Sequence, residues 1–510
     1  MSQDPQTAKA HADRVKAVSQ TVRQYYEQSV PFRIFHGSSN STRAAAREHV
    51  VDISALDHVL LVDRECMTAL VEPGVAMDRL LGTLLPLGVM PAVVPEFPGI
   101  TAGGAFAGTA AESSSSRHGY FDKTVNEIEI VLGNGDVVLA SPKHNADLFH
   151  CSAGAMGTLG VTTQLEIQLI SCKPYLEVTY HPVTSQDAAL EHFKNVPQDV
   201  GFTDGIMFSS SHGVIVEAKF TEREESAAPL TRFTRAHDPW FFTHVHRKLR
   251  CSLQLDEGDS DFFCLTCHWT QNSYAYRQNN HDRVELVPIE DYLFRYERGV
   301  FWMACYGWAP TLWNRFTRYF FDAVWHTRFQ YRVLHLTGGA PHIIQDVAIP
   351  EDKAGNFLEF MKEKMKLYPL WLCPIKHDPK SLMHTATTDT GPTDYLVNVG
   401  IWGSPNYGLD YLTAETFDRF VAYNRALEHK VTEVGGLKWL YATNYYREEE
   451  FWYMYDKESY DELRIKWKAD RLPSLWKKVQ RSQQDVKEVP LSKVLLAIVY
   501  AALGIDRLIT

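Results

Sequence analysis

The sequence predicts an α+β protein with two main parts: a first domain of short mixed sheets and helices, and a second domain built on an antiparallel sheet. Three observations carry this. Strand-like and helix-like segments in the first 175 residues are short and do not alternate as a regular βαβ series. From about residue 175 the strands lengthen and aromatic-rich helices separate them. Three Gly-rich loops fall within the first 160 residues, each flanked by strand-like sequence.

Each element has a local reason. The first 25 or so residues are polar and helix-prone. "PFRIFHGSSNSTR" (31–43) passes from an extended apolar run into a Gly/Ser/Asn loop. "VVDIS" and "HVLLVDRECMTALVEPGV" read as strands. "AMDRLLGTLLPLG" is an amphipathic helix, with Met77, Leu80, Leu81, Leu84 and Leu85 on one face. "TVNEIEIVLGNGDVVLAS" is a hairpin in which Asn134-Gly135 supplies positive φ angles. Ala146-Asp147-Leu148-Phe149 opens a short helix, and "GTLGVTTQLEIQLISC" is a Gly loop feeding a strand. In the second part "LEVTYHPV", "GFTDGIMFSSSHGVIVEAKF" and "DFFCLTCHW" read as strands. "GWAPTLWNRFTRYFFDAVWHTRF" reads as helical.

Composition excludes several classes. Hydrophobic residues make up 45% and charged residues 22%, as in a globular protein. A net charge of −11 and the lack of any Lys/Arg-rich run exclude non-specific nucleic-acid binding. The start of the chain has no apolar core of a secretory signal. With eight scattered cysteines, that points to a reducing, intracellular setting. "CLTCHW" (264–269) fits a local haem-attachment pattern but reads better as a buried strand, and no metal site is expected. "DEGDSD" (256–261) reads as a solvated acidic turn. No run reaches the ~20 apolar residues of a membrane span. "VLLAIVYAALG" (494–504) reads as a helix packed on the protein or lying at a membrane surface.

The loops carry the chemistry. The first is Gly37, Ser38, Ser39, Asn40 and Ser41, preceded by His36. The second, "PEFPGITAGGAFAGTAAESSSSRHGY" (95–120), contains Gly99, Ile100, Thr101, Gly103, Gly104, Gly108 and Thr109. Glu112, Ser113, Ser114, Ser115 and His118 follow. The third is Gly157, Thr158 and Gly160, running into Val161. Glycine lets backbone N–H groups approach an anion, and Ser/Thr hydroxyls add donors. There is no Walker A sequence, and "GGAFAG" lacks the G-x-G-x-x-G spacing. The residues therefore indicate a non-Rossmann dinucleotide or phosphate site.

The order of these loops resembles the FAD-binding domain of the vanillyl-alcohol oxidase/p-cresol methylhydroxylase superfamily. Within it, the second loop and its continuation to "NADLF" are similar to the delta-24 sterol reductase (24-dehydrocholesterol reductase/DIMINUTO) family. The shared series is Pro-Glu, Ile-Thr, Gly-Gly, Gly-Thr, Glu-Ser-Ser-Ser. The likeness continues in "QDVAIP", "YPLWLCPIK", "YLVNVGIWG" and "WLYATNYYREEEFWYMYD", and spans roughly residues 45–480. Two departures stand out. The family's membrane-bound members begin with a hydrophobic span that this sequence lacks, and Met156 stands before Gly157 where the family has Cys.

The resemblance implies residues 1–175 as the FAD-binding domain, 176–435 as a substrate-binding cap, and 436–510 as a segment returning to the FAD domain. It implies non-covalent FAD, with His36 the first suspect and His118 the second for any covalent link. It implies NADPH as electron donor and an apolar, sterol- or terpenoid-like substrate with an isolated carbon–carbon double bond that is reduced in its side chain. No carbonyl polarises such a bond, so a dry site and a positioned acid are needed. Glu112, Tyr441, Tyr445 and Lys438 are the candidates for that acid or for orientation, and Trp302, Trp308 and Trp402 suit an apolar pocket. An alcohol or phenol oxidase of the same fold is the alternative, and a non-catalytic binding relative the second. Contact of residues 490–510 with a membrane, such as the endoplasmic reticulum surface, fits the same picture.

Overall fold

The computed structural model describes residues 4–37, 48–253, 283–303, 319–337, 343–378, 383, 395–403 and 414–480. Ser38, Ser39, Asn40, Ser41, Trp308, "DEGDSD", "CLTCHW" and residues 490–510 lie outside the described residues. No helix among the described residues is long and apolar enough to cross a membrane.

Helix α1 (Pro5–Glu27) begins where Asp4 accepts a hydrogen bond from the Thr7 amide and Pro5 presets φ. His11, Val15, Val18 and Val22 form its buried face. Strands β1 (Arg33–Phe35) and β2 (Val50–Asp52) pair in parallel. β3 (Val59–Asp63), β4 (Thr68–Val71), helix α2 (Met77–Leu84) and β5 (Val89–Pro91) follow. Then come helices α3 (Ala102–Ala107) and α4 (Ser115–His118), β6 (Val125–Val131), β7 (Val137–Ala140), helix α5 (Ala146–Ser152) and β8 (Val161–Ser171). β3–β4–β8–β6–β7, with β5 also on β8, form one antiparallel sheet. In β8, Val161, Thr163, Leu165, Ile167 and Leu169 alternate inward, as the period-2 pattern predicts.

The β6–β7 connection differs from expectation. Gly135 alone has positive φ (88°); Asn134 does not. The loop spans residues 132–136, and the Asn134 side chain bonds Asp136 instead. Gly135 is required for a second reason: a Cβ there would stand 2.8 Å from the Ser19 carbonyl of α1.

Among the described residues the second sheet is antiparallel throughout and has eight strands. They are β9 (Tyr175–Val183), β10 (Phe202–Ser209), β11 (His212–Thr221), β12 (Val284–Pro288), β13 (Ile343–Pro350), β14 (Leu370–Lys376), β15 (Tyr395–Gly403) and β16 (Leu437–Lys438). Their order is β12–β9–β11–β10–β14–β15–β13–β16. Helix α6 (Gln186–Lys194) and the helix Glu351–Phe360 cover one face, burying Val347, Val397, Val399, Leu370 and Leu372. Strand alternation then sends Asp346, Asn398, Trp402, Trp371 and Cys373 to the opposite face, toward the first sheet.

The end of the chain ties the halves together. β16 pairs with β13 (Val347 opposite Lys438). Trp439 Nε1 then donates to the Thr109 carbonyl at 2.8 Å. Buried Arg464 donates to the carbonyls of Thr158, Leu472 and Pro473.

Candidate cofactor and active-site cleft

A cleft runs between the two sheets. One of its walls is almost free of side chains: Gly103, Gly104, Ala107, Gly108, Ala110 and Ala111 line it. Gly157, Gly160, Ile34 and His36 line it too. In α3 the glycines supply room, and the amides at its start are already bonded. The Ala102 and Gly103 amides bond the Val75 and Pro73 carbonyls (2.8 and 2.9 Å), and those of Gly104 and Ala105 bond Thr101. Gly103 is obligatory because a Cβ would lie 2.5 Å from Pro73 Cβ. The Ala102 and Gly103 amides are thus used in holding α3 against Val75 and Pro73, and those of Gly104 and Ala105 in capping it on Thr101, so these four amides are not the ones an anion at this turn would meet. Among the described residues, this end also carries a cationic group that sequence reasoning missed. Lys478 lines the cleft, its Nζ 3.5 Å from where a Cβ on Gly157 would stand.

The opposite end is aromatic and acidic. Phe97 meets Phe301, Tyr331 and Trp402 edge-on at 5.7–6.3 Å between centroids. Trp371 is fixed by its Nε1–H bond to Asp204 Oδ2 (2.8 Å). Buried Arg295 and Tyr296 donate to the same oxygen. Asp346 projects from β13 into the cleft, where Tyr441 donates its phenolic hydrogen to Oδ2. Gly400, directly across from Asp346 and from Trp371 in the sheet, makes the space. A Cβ on Gly400 would lie 2.8 Å from Asp346 Oδ1 and 3.1 Å from Trp371 Cβ.

Burial dominates the electrostatics. It pushes the Asp346 carboxyl up to about 6, against the opposing hydrogen bonds of Tyr441 and Asn398. Glu96, also in the cleft, is raised further by burial and then by the charge of Glu112. Its Oε1 is buried with no hydrogen-bond partner, as befits a neutral carboxyl. Two carboxyl groups with raised pKa values in a dry aromatic recess can hold and deliver protons near neutral pH.

The structure brings some of the expected residues together and separates others. His36, Ile100, Thr101, Gly103, Gly104, Gly108, Gly157, Gly160 and Tyr441 line the cleft. Trp402 lines it too, while Trp302 stands behind, donating to the Trp402 carbonyl. Glu112 does not line it. Its carboxylate accepts from Ser113 Oγ (2.7 Å), from the Ser114 amide (2.9 Å) and from Ser114 Oγ, while Ser115 Oγ accepts from the Glu112 amide. Lys438 is paired with buried Glu428 at 2.7 Å, and the Tyr445 amide bonds the same carboxylate. Thr158 is bonded to Tyr460, Thr109 receives Trp439, and His118 sits half-buried on α4, outside the cleft. Gly37 turns the chain at φ 73°, Gly99 precedes α3, and Val161 begins β8.

The cleft suits a flavin dinucleotide, with Lys478 at one end for the diphosphate and a side-chain-free wall for a flat ring to lie against. Residues 7–141 match the sequence model of an FAD binding domain. The chain is 27% identical over 487 residues to the delta(24)-sterol reductase of Homo sapiens, covering 92% of this chain and 86% of that one. The likeness to the Arabidopsis thaliana enzyme of the same name is 27% over 488 residues, covering 89% and 80%. Over about nine-tenths of its length the chain is similar to delta(24)-sterol reductases. A cytokinin dehydrogenase 9 of Oryza sativa subsp. japonica is 27% identical over only 234 residues, 42% of this chain. Likeness to the sterol reductases thus runs through both sheets and the C-terminal return. The residues at the recess, Asp346 in "QDVAIP" and Gly400 in "YLVNVGIWG", lie in segments that carry the sequence resemblance to that family.

Proposed function

We propose that this protein is an FAD-dependent reductase that uses NADPH to saturate an isolated carbon–carbon double bond in the side chain of a sterol or terpenoid-like lipid. The observation that carries this is the Tyr441–Asp346 pair at the dry, aromatic end of a cleft otherwise built for FAD. FAD, when bound, supplies the hydride. Phe97, Phe301, Trp371 and Trp402 exclude water and hold an apolar substrate by contact alone. The pair delivers the proton. With Asp346 ionised, the Tyr441 hydrogen points at the carboxylate and is withheld. With Asp346 protonated, its own O–H donates to the phenol oxygen, and the Tyr441 hydrogen turns toward the cleft. Residues 1–175 and 436–510 hold the cofactor, and residues 176–435 cover the substrate. A membrane-borne substrate of this class also fits contact of residues 490–510 with a lipid surface.

Anaerobic spectroscopy tests this. NADPH should bleach the flavin bands of the purified protein, and a sterol with an unsaturated side chain should restore them without air. If NADPH leaves the bands unchanged, while an alcohol bleaches them and air restores them, the protein is an oxidase and the reading fails.

A further inference from the structure

We infer that His181, His192 and Glu217 form a binding site for a divalent transition metal of the zinc class, clipping α6 to the second sheet. Three separate elements bring these residues together. β9 and β11 pair with His181 opposite Ile215 and Thr179 opposite Glu217, so His181 and Glu217 are diagonal neighbours on one face. Ile215 on that face packs in the same cluster as Ala189, Leu190 and Phe193 of α6, which places the last turn of α6 over the strands. His192 comes from that turn.

The donor set and its spacing suit a metal. His192 Nε2 lies 2.9 Å from Glu217 Oε1, and His181 Nε2 lies 3.2 Å from Oε2. All three ligand atoms fall within 4.8 Å of one another. Zinc bonds of about 2.0–2.1 Å put neighbouring ligand atoms of a tetrahedral shell about 3.3 Å apart, so small side-chain rotations complete the shell. His181 Nε2 is buried and makes no aligned hydrogen bond despite its closeness to the carboxylate. A cation between them would use that lone pair. The histidine side chains are 35% and 26% exposed and Glu217 8%, which leaves an open side for a water ligand. Two nitrogens and one carboxylate oxygen select zinc-class ions over calcium or magnesium.

A second grouping, Asp57, His58 and Glu72, makes a natural control. Glu72 already accepts from His11 and from the Arg14 guanidinium at 2.7 Å, and that fixed positive charge opposes a metal.

The test uses the full-length protein after chelator treatment, titrated with ZnCl2 and with CoCl2. Wild type should bind one more equivalent of Zn2+ at micromolar concentration than His181→Gln/His192→Gln, and Co2+ should show tetrahedral d–d bands that the double variant lacks. Zinc should raise Tm in wild type and in His58→Gln, but not in Glu217→Gln, whose fold is checked by circular dichroism. Equal stoichiometry and equal Tm shifts across wild type, Glu217→Gln and the double variant would overturn the inference, leaving only adventitious binding to other histidines.

Discussion

The phenol of Tyr441 donates its hydrogen to Asp346 Oδ2, joining β13 to the segment just after β16. In the proposed reaction this pair controls proton delivery. Asp346→Asn and Tyr441→Phe should each lower the rate of flavin recolouring by substrate about 10²–10⁴-fold, the usual worth of a positioned acid. FAD content and bleaching by NADPH should be retained. Because the protonated carboxyl is the competent form, the rate should fall as pH rises through about 6 in wild type. Asp346→Asn should lack that limb. Stopped-flow reoxidation between pH 5 and 8 checks both.

Gly400 makes the space for that carboxyl. Gly400→Ala puts a methyl 2.8 Å from Asp346 Oδ1 and 3.1 Å from Trp371 Cβ. The side chains must move, and a displacement near 1 Å at a reacting centre costs about 10²-fold. The same reoxidation assay should show that loss, with FAD affinity unchanged.

Lys478 faces the cleft beside Gly157. Lys478→Gln should raise the FAD dissociation constant about tenfold, in keeping with about 1.4 kcal/mol. The difference from wild type should shrink at high salt. Titration of apoprotein with FAD, read by quenching of flavin fluorescence, measures it.

Glu112 is a structural brace for the Ser run. Glu112→Gln keeps the shape and should keep near-normal turnover, while thermal stability falls by about 1–2 kcal/mol as one serine hydroxyl loses its carboxyl acceptor. Loss of turnover with Tm intact would return Glu112 to the chemistry.

Helix α1 is held by His11, which lies 2.7 Å from Glu72 and 3.3 Å from Glu129. Burial opposes its charge, but the hydrogen bonds and charges of Glu129 and Glu72 outweigh burial and raise His11 to about 9. Its contribution to stability is fully present below pH 6.5 and is lost as pH rises through about 9. Glu72 is held down at about 2, so its contribution persists above pH 4.5 and is lost as pH falls through about 2. Melting curves should show His11→Gln well below wild type at pH 6 and converging with it above pH 9.

Much of this was legible in the residues. Periodicity gave α2, β8 and the strand character of β10 and β11, because burial on one face writes a repeat into each. The loops near residues 36, 100 and 157 were legible as a cleft because clustered glycine is rare without a close approach. What glycine does there was not legible: only tertiary contacts show that Val75 and Pro73 already take the first two α3 amides. Glu112 stood out as the one ionisable residue between Glu96 and Arg117, yet a carboxylate beside serines can fold back on them. Asp346 gave a comparable signal, one acid in the apolar run "IIQDVAIP", but only strand order across the sheet aims it at Tyr441. Lys478, more than 300 residues from Gly157 in sequence, left no local trace.

The bond from Trp439 to Thr109 spans 330 positions of the sequence. During synthesis the ribosome releases the glycine wall long before it makes Trp439, Tyr441 or Lys478. A nascent polypeptide therefore exposes an open trough that lacks its far side, and capture of the flavin waits until translation is nearly complete. A product truncated before residue 436 should emerge colourless however well its first sheet folds, so the cofactor itself reports whether synthesis ran to the end.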